Sequence, residues 1–393
     1  MTLSALTARP VLTSRGTWTV EVTARLSDGS VGVAAVPEGK SAGSHEVPAV
    51  TPTQAIQHIE GEISDALTGI VLDAHTRVDS ILRELDGTDN FARLGGNTTL
   101  AVSVATAKAF ACKQGVPLWH YLAGVAGTSP GYPKLLANLI NGGVHAGSGL
   151  PYQEYLISPQ VAHPEYAIHM TARFYLALGE LLAERFGPHA TALGDEGGYT
   201  PPCEDPAEPY HLFDEVRERL QLEPEFLCYG LDAAANEIEE QATYVTRERY
   251  QALAEAHPLC YLEDPFTEDD LESHAALKAS VPEHTRIIGD DVTTTNVHRM
   301  SAAREADALS GLIIKPNQIG TLTDTLHAIA RAREYDWSVT VSHRSGETTD
   351  PFIADLAVAV AADGFKLGAP ARGERVEKYN RLLAIVEERV GQA

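Results

Sequence analysis

The chain has 393 residues, 44% of them hydrophobic, and carries a formal net charge of -24 from 54 acidic residues against 30 lysines and arginines. This length suits one large domain with a smaller partner domain and allows a sizeable core. Such a negative charge disfavours nucleic acid and anionic membranes as partners. An anionic substrate would therefore need a metal ion or a few local cations.

No apolar stretch is long enough to span a membrane, and the N-terminus lacks the basic-then-apolar layout of a signal peptide. We therefore expect a soluble cytoplasmic protein. The four cysteines are scattered along the chain and form no C-x-x-C pair. Cys228 and Cys260 lie within apolar runs, which predicts that both are reduced residues of the core.

The first third of the chain predicts a small α+β domain. Residues 17–36 alternate between apolar and polar side chains and break at a polar turn, which is typical of a β-hairpin. The glycine-rich segment that follows, residues 37–44 (PEGKSAGS), is either a surface loop or a mobile lid. Helical patterns then cover residues 53–67, 77–85, 98–114 and 118–122. A stretch rich in glycine, serine and proline, residues 124–133, marks the predicted domain boundary.

The rest of the chain predicts a barrel of mostly parallel strands. Residues 134–140 and 152–158 are predicted strands, and residues 164–186 are a predicted helix. After them, six apolar runs each end in one ionisable residue, 23 to 31 residues from the next: Asp232, Glu263, Asp290, Lys315, His343 and Lys366. That spacing leaves room for one crossover helix between parallel strands. Because C-terminal strand ends converge on one mouth of such a barrel, we expect these side chains to meet there.

Three of these strand ends, Asp232, Glu263 and Asp290, carry carboxylates. Crowded acids raise one another's pKa unless a cation lies among them, and all-oxygen ligands favour Mg²⁺ over zinc. Lys315 on the next strand is a candidate base that acts only when neutral. We expect a nearby cation, either Mg²⁺ or Lys366, to lower its pKa. This set suits removal of a proton next to a carboxylate, because the metal and Lys366 would stabilise the growing negative charge.

Other polar residues near predicted strand ends each have two interpretations. Arg344 and Ser345 form a phosphate-binding pair, or the arginine holds a neighbouring acidic loop. Glu196 stands in a glycine-rich acidic turn that is either part of the site or a plain turn. His145 lies between glycines in a loop, where it either approaches a ligand or is incidental.

Over nearly its whole length the sequence resembles the enolase family. The resemblance rests jointly on motifs spread along the chain: residues 14–16 (SRG), 19–22 (TVEV), 85–90 (LDGTDN), 141–147 (NGGVHAG), 153–154 (QE), 194–198 (GDEGG), 263–266 (EDPF), 290–291 (DD), 315–320 (KPNQIG), 341–348 (VSHRSGET) and 366–370 (KLGAP). It implies an α/β, enolase-like fold. An N-terminal α+β capping domain, residues 1–128 with a lid loop at 37–46, would precede a modified (β/α)8 TIM-type barrel at 129–393. The first barrel units would be irregular, in the order ββαα before repeated βα units.

The resemblance also implies roles for the matching strand-end residues. Asp232, Glu263 and Asp290 would hold a first Mg²⁺. That ion and Lys366 would bind the carboxylate of the substrate. Lys315 would take the proton from C2. The resemblance implies this role because enzymes of this superfamily pair a lysine base with Mg²⁺.

On the leaving-group side, the resemblance implies that Glu196, supported by Glu154, protonates the departing C3 hydroxyl. His343 would lie near the carboxylate and the leaving group, and His145 would close on the phosphate side. The remaining implied or candidate substrate contacts are Arg344 and Ser345 on the phosphate, Gln153, Lys40, and Ser41. Ser41 would also bind a second Mg²⁺, so that two ions serve each active site.

The predicted lid departs from the family pattern. The usual SGASTG is EGKSAG at residues 38–43, which places Glu38 and Lys40 beside the phosphate pocket. Val144 and Leu367 stand where serine and threonine are usual. The proton-transfer residues are retained while the phosphate side is changed. That combination is expected if the chemistry is kept and the group on phosphorus differs.

Three functions follow from these residues. The first is a Mg²⁺-dependent carbon–oxygen lyase that converts 2-phosphoglycerate, or a close phosphorus-modified analogue, to an enolpyruvate ester. Its alternative form is a carboxyphosphonoenolpyruvate synthase-type enzyme of phosphonate or phosphinate biosynthesis, with Lys40 meeting the extra carboxylate. The second is a non-catalytic enolase-like binding protein, which predicts a lost base or metal ligand. The third, a racemase-type barrel enzyme, has no reason to retain Glu154, Glu196 and His145 together. The resemblance implies a homodimer or a higher assembly of dimers.

Overall fold

The computed structural model describes residues 1–39, 45–146, 149–239 and 241–391 of the chain. Its eleven strands in these ranges are β1 Leu3–Leu12, β2 Trp18–Leu26, β3 Val31–Ala35, β4 Lys134–Asn141, β5 Glu154–Pro159, β6 Leu227–Asp232, β7 Leu259–Glu263, β8 Arg286–Gly289, β9 Gly311–Ile314, β10 Ser338–Ser342 and β11 Gly364–Lys366. Among these described residues, no helix is both long and apolar enough to cross a membrane.

The helices of the described residues cover most of the connections between strands. They are α1 Pro52–His58, α2 Ser64–Leu67, α3 His75–Asp86, α4 Gly96–Gln114, α5 Leu118–Ala126, α6 Pro164–Phe186, α7 Glu208–Arg219, α8 Gln241–Tyr244, α9 Arg247–Ala256, α10 Leu271–Lys278, α11 Val297–Glu305, α12 Pro316–Ile319, α13 Leu322–Glu334, α14 Phe352–Ala359 and α15 Gly373–Val390. A π-helical segment, Ile59–Ile63, joins α1 to α2. The predicted helix over residues 53–67 is therefore two helices with an irregular turn at Gly61.

The N-terminal part is a three-stranded antiparallel sheet, in the order β1-β2-β3, packed against α4. The predicted hairpin is confirmed as β2 and β3. Gly32 permits close packing on α4, because a Cβ atom there would lie 2.0 Å from the carbonyl oxygen of Ala105. Strand β1 was not predicted. Its run contains Pro10, which cannot donate a backbone hydrogen bond and reads as a strand breaker, although an edge strand accommodates it.

The C-terminal part is a closed eight-stranded barrel in the order β10-β11-β4-β5-β6-β7-β8-β9. Strand β5 is antiparallel to both β4 and β6, and helices α6 and α7 follow it before β6 begins. This is the irregular ββαα opening that the resemblance implied, followed by βα units. The predicted α/β fold class, a small N-terminal α+β part with a modified TIM-type barrel, is confirmed.

The barrel interior is filled below the mouth by a small apolar cluster that is separate from the main core. Its buried members come from five strands: Leu136, Leu156, Tyr261, Ile288 and Ile313. The main core is continuous through the N-terminal sheet, its helices and the outer faces of the barrel strands. Packed side chains therefore close the barrel from within and leave its C-terminal rim as the place for polar groups.

Cys228 and Cys260 form a disulfide bond between β6 and β7, so the prediction that both are reduced is wrong. Their Cα atoms lie 5.9 Å apart, within the range that a disulfide spans. A shift of register between the two strands places Cys228 beside Cys260. Apolar runs alone do not reveal the register of neighbouring parallel strands. The other two cysteines, Cys112 and Cys203, are free thiols.

Thiol titration of the denatured, unreduced protein is therefore expected to count two thiols and not four. Cys228→Ser should raise the count to three, because it frees the thiol of Cys260. Cys112→Ser is the matched control, since it removes a free thiol and should lower the count to one. Four thiols in the wild type would mean that the disulfide does not form.

Candidate active site

The ionisable residues that the sequence predicted at successive strand ends meet at the C-terminal mouth of the barrel. Five of them line one cleft: Asp232, Asp290, Lys315, His343 and Lys366. The sixth, Glu263, is fully buried at the end of β7 and reaches the same group through Lys366. The convergence follows from parallel strands of similar length, which bring their C-terminal ends to one rim.

Lys366 lies at the centre of the acidic residues. Its Nζ atom is 2.8 Å from Asp232 Oδ2, 2.8 Å from Glu263 Oε2 and 3.2 Å from Glu154 Oε1. Burial disfavours the charged ammonium, but these carboxylates outweigh it and raise the pKa of Lys366 well above its usual value. Lys366 therefore carries a fixed positive charge inside the cleft.

Lys315 contacts Asp290 directly through an ion pair between Nζ and Oδ2. The amide of Gln318 also donates to Asp290 Oδ1, at 3.0 Å. Burial by itself lowers the pKa of Lys315, yet the charge of Asp290 raises it above its usual value, against Arg344 and Lys366. Lys366 therefore acts on the pKa of Lys315 in the expected direction, but the contacting carboxylate of Asp290 outweighs it.

Glu263 is the most deeply buried of the three predicted carboxylate ligands. Burial, reinforced by the charge of Asp232, raises the pKa of Glu263 to about 8, although Lys366 opposes it. Its second oxygen, Oε1, is buried without a hydrogen-bond partner among the described residues. An orphaned carboxylate oxygen beside two further acids fits a divalent cation with oxygen ligands. Among the described residues, however, the group of three acids whose oxygens lie within 4.8 Å of one another is Asp264, Asp290 and Asp291, so the ligand set Asp232, Glu263 and Asp290 stays a prediction.

Asp264 supports this ligand set, and the sequence analysis did not assign it a role. Its carboxylate accepts hydrogen bonds from the backbone amides of Asp290, at 2.9 Å, and Asp291, at 2.7 Å. One oxygen from each of these three residues lies within 4.8 Å of the others. Because both carboxylate oxygens of Asp264 accept hydrogen bonds from backbone amides, Asp264 holds the backbone at Asp290 in place. The signal in the sequence was its place directly after Glu263.

A second acidic group lies beside Lys366. Glu154, Glu196 and His343 each bring a ligand-type atom within 4.8 Å of the others. Burial and the charge of Glu196 raise the pKa of Glu154 well above its usual value, against the attraction of Lys366. Asn138 donates to Glu196 Oε2 at 3.0 Å. Burial and the neighbouring carboxylate favour the protonated form of Glu154, which is the environment that a general acid requires.

Glycines allow the loop that carries Glu196 to fold against β4. A Cβ atom at Gly194 or at Gly198 would lie 2.6 Å from Asn141 Oδ1. On the other side of Glu196, Gly368 has a φ of 78°, and a Cβ atom there would lie 2.8 Å from the carbonyl oxygen of Glu196. The turn at 194–198 therefore packs closely and places Glu196 on the wall of the cleft, while the catalytic role of Glu196 stays a prediction.

Arg344 lies at the other end of the cleft, where its guanidinium forms a two-pronged ion pair with Glu46. The distances are 3.0 Å from Nη1 to Oε2 and 3.1 Å from Nη2 to Oε1. Nη1 also donates to Asn317 Oδ1 at 3.0 Å. The second interpretation, an arginine that holds a neighbouring acid, is therefore what the structure contains, and phosphate binding by Arg344 and Ser345 stays a prediction. The sequence analysis did not single out Glu46, although it ends the predicted lid.

The comparisons with known proteins agree with this architecture. The model of the enolase N-terminal domain matches residues 3–122, and the model of the enolase C-terminal TIM barrel domain matches residues 131–393. A protein named enolase from Methanopyrus kandleri is 41% identical, with 98% of this chain and 96% of that protein covered. The chain belongs to the enolase family.

Two further relatives extend this similarity to other branches of the family. An enolase from Aeropyrum pernix is 40% identical over 95% of this chain and 91% of its own length. Enolase B from Dictyostelium discoideum is 37% identical over 99% of this chain and 95% of its own length. Membership of the enolase family makes the chain a magnesium-dependent carbon–oxygen lyase by class, as the sequence predicted.

Several enolase residues named from the sequence cannot be placed in full. Lys40 and Ser41 lie outside the described residues, as do Gly147 and Ser148. The backbone of His145 ends a 3-10 turn, Gly143–His145, but its side chain is not among those described. Gln153 is placed, and its Nε2 atom donates to Asp232 Oδ2 at 3.3 Å.

The two changed positions near the enolase motifs differ in their surroundings. Leu367 is fully buried in the main core, and Val144 is exposed at the 3-10 turn beside His145. Leu367 is therefore a packing residue of the core. Ser345 is buried at the cleft, where its carbonyl oxygen accepts from Ser14 Oγ at 3.3 Å.

Proposed function

We propose that this enolase-family chain converts 2-phosphoglycerate to phosphoenolpyruvate and water. The observation that carries the proposal is that one cleft is lined by a lysine, two carboxylates at strand ends and two buried glutamates: Lys315, Asp232, Asp290, Glu154 and Glu196. A base, a site for positive charge and an acid are what loss of a C2 proton and a C3 hydroxyl requires.

In this mechanism Lys315 accepts the C2 proton. It has to be neutral beforehand, so its proton must leave and its pairing with Asp290 must end before the reaction. A Mg²⁺ ion bound by Asp232, Glu263 and Asp290 would neutralise these acids, oppose protonation of Lys315 and stabilise the doubly charged carboxylate of the enolate. Lys366 adds its fixed charge to the same carboxylate.

The second half of the reaction is assigned to the glutamate pair. The proton shared by Glu154 and Glu196 passes to the C3 hydroxyl, which leaves as water while the electrons of the C2 carbanion form the double bond. Lys366 touches Glu154, so the two halves of the site are in contact. Proton removal and hydroxyl loss are thereby arranged around one cation.

The phosphate of the substrate is assigned to Arg344 and Ser345. The two-pronged contact with Glu46 supports this assignment, because phosphate oxygens match the same guanidinium fork as a carboxylate. Phosphate binding at Arg344 would therefore compete with Glu46. The segment around Glu46 is held in place, since the backbone amide of Val47 donates to the carbonyl oxygen of Gln318 at 3.0 Å.

Glu46→Gln is expected to lower the KM for 2-phosphoglycerate by about tenfold. Removing the negative charge weakens a charge-assisted contact of about 1.5–3 kcal/mol that competes with the phosphate. Steady-state kinetics measure this, with inorganic phosphate as a competitive inhibitor that should bind more tightly by a similar factor. Glu184→Gln is the matched control, because Glu184 also pairs with an arginine, Arg219, at 2.9 Å, but on the exposed side of α6 and α7. A raised KM in Glu46→Gln would show that Glu46 supports phosphate binding.

The deciding experiment compares two substrates. The rate of enol formation is measured with 2-phosphoglycerate and with an analogue that carries a carboxyl group on phosphorus, in the presence of Mg²⁺. A kcat/KM of about 10⁴ M⁻¹ s⁻¹ or more for 2-phosphoglycerate supports the proposal. A clear preference for the analogue would replace it with the carboxyphosphonoenolpyruvate synthase-type function. No turnover of either would favour the non-catalytic binding protein.

Several finer predictions accompany this function and remain predictions. They are a second Mg²⁺ at Ser41, the contact of Lys40 with the substrate, the closing of His145, the domain boundary after residue 128, a cytoplasmic location and a homodimer. Equilibrium dialysis for the number of Mg²⁺ ions bound, and sedimentation for the assembly, test the two that bear most directly on the mechanism.

A further inference from the structure

A fully buried arginine stands directly behind His343. Arg375 belongs to the first turn of α15 and is 0% exposed. Its Nη1 atom is 2.7 Å from His343 Nδ1 and 2.6 Å from the carbonyl oxygen of Arg344, and its Nη2 atom donates to the carbonyl oxygen of Ser345 at 2.8 Å. One side chain therefore contacts three consecutive residues of the site.

The chemistry of arginine decides the direction of the contact with His343. A guanidinium has only N–H donors, has no acceptor and stays protonated in proteins. His343 Nδ1 must therefore accept the hydrogen bond with its lone pair. A neutral imidazole that accepts at Nδ1 carries its proton on Nε2.

The other ring nitrogen points to the acid side of the cleft. His343 Nε2 is 3.5 Å from Glu196 Oε2. The ring is 2% exposed, and Gly368 leaves room for it, since a Cβ atom at Gly368 would lie 3.1 Å from His343 Cε1. Nε2 makes no hydrogen bond to the described residues, so its N–H lies beside this carboxylate and is available to it.

We propose that Arg375 is a positioning residue that fixes His343 in the Nε2–H tautomer, so that His343 donates a hydrogen bond beside Glu196 and does not accept a proton there. This rests on the proposed function only for the roles of Glu196 and of hydroxyl departure. The tautomer itself follows from the geometry of Arg375. His343 then steadies the anionic form of Glu196 after the proton has gone to the leaving hydroxyl.

The charges around His343 agree with a neutral ring. Burial lowers the pKa of His343 to about 4, and the positive charge of Arg375 adds to this effect. Glu196 and Glu347 oppose it. The two acids are outweighed, so the ring stays neutral over the pH range in which enzymes usually work.

The first test reads the tautomer in the wild-type protein and needs no variant of Arg375. Protein labelled with ¹⁵N in its histidine rings is examined by long-range ¹H–¹⁵N NMR, and His343→Gln identifies the signal by its loss. The expected result is an unprotonated Nδ1 and a protonated Nε2 at neutral pH. A protonated Nδ1, or a ring protonated on both nitrogens, would overturn the proposal.

The second test separates positioning from folding. Arg375→Met is expected to lower the rate of hydroxyl loss by about a hundredfold, in the range for a misplaced proton-transfer group. Exchange of the C2 proton with solvent should fall far less, and Arg375→Lys should restore part of the loss. Lys378→Met is the matched control: Lys378 is also fully buried on α15, but it contacts Glu347 and the carbonyl oxygen of Thr348.

The outcomes distinguish this inference from the proposed function. If Arg375→Met lowers both steps equally, as Lys378→Met would by disturbing the loop, then Arg375 is only structural and the proposal is wrong. If wild-type protein neither exchanges the C2 proton nor forms the enol product, the proposed function fails. The NMR result would still decide the tautomer.

Discussion

Lys315→Ala is expected to abolish exchange of the C2 proton with solvent while the substrate still binds. The proton acceptor is removed, and general base catalysis is typically worth about 10²–10⁴-fold, so exchange should fall by at least the larger of these factors. Exchange is measured by mass spectrometry of substrate recovered from D₂O. Binding is measured by calorimetry with Mg²⁺ present. It should persist, because the residues assigned to the phosphate and the carboxylate of the substrate are unchanged.

Lys278→Ala is the matched control for this prediction. Lys278 is a partly exposed lysine at the end of α10, and its Nζ atom contacts Asp307 outside the cleft. It should leave exchange and binding at wild-type levels. Persistent exchange in Lys315→Ala, with binding intact, would assign the base to another residue. Loss of exchange only through loss of binding would show that Lys315 holds the substrate.

Lys366→Met is expected to lower the free energy of unfolding by about 3–5 kcal/mol when Mg²⁺ is absent, because it strands buried carboxylates without their cation. The three acids that contact Lys366 are Asp232, Glu263 and Glu154. Mg²⁺ at about one hundred times its Kd should return about 2.7 kcal/mol, since it binds the folded state alone. Turnover should stay absent, because the charge that faces the substrate carboxylate is gone.

Denaturant titrations with and without Mg²⁺ measure this rescue. Lys378→Met should be destabilised by a similar amount, because it strands the buried carboxylate of Glu347. Mg²⁺ should raise its free energy of unfolding only as much as that of the wild type, since Glu347 is not one of the proposed metal ligands. At one fixed Mg²⁺ concentration, Lys366→Met should gain more stability than the wild type or Lys378→Met, because its acids no longer hold a competing ammonium. An equal gain in all three proteins would mean that Mg²⁺ and Lys366 do not share these acids. No rescue of Lys366→Met would remove Asp232 and Glu263 from the metal site.

Much of the fold was predictable because its signals are local. Six apolar runs at regular spacing are enough to indicate βα units, and the structure confirms all six strands. The strand β1 was not predicted because Pro10 interrupts its local pattern, and pairing with β2 stabilises a segment whose own propensity is weak. Helix α7 was not predicted, although Tyr210, Phe213 and Val216 form an apolar stripe along it.

The candidate site was predictable where each residue stands alone at a strand end. It was not predictable where two residues meet across the fold. Glu46 pairs with Arg344 and Arg375 pairs with His343 only because the capping part and α15 are packed on the barrel. The register that joins Cys228 to Cys260 is likewise a property of neighbouring strands.

The sequence by itself determined the six strands that end at the mouth of the barrel and the chemical type of the group at each end. These features are local, because apolar periodicity and residue type can be recognised within a single segment of the chain. The tertiary structure alone decided which charges touch. Lys315 shows the difference, because contact with Asp290 raises a pKa that cations were expected to lower. A pKa depends on distances between residues far apart in the chain, and only packing sets those distances.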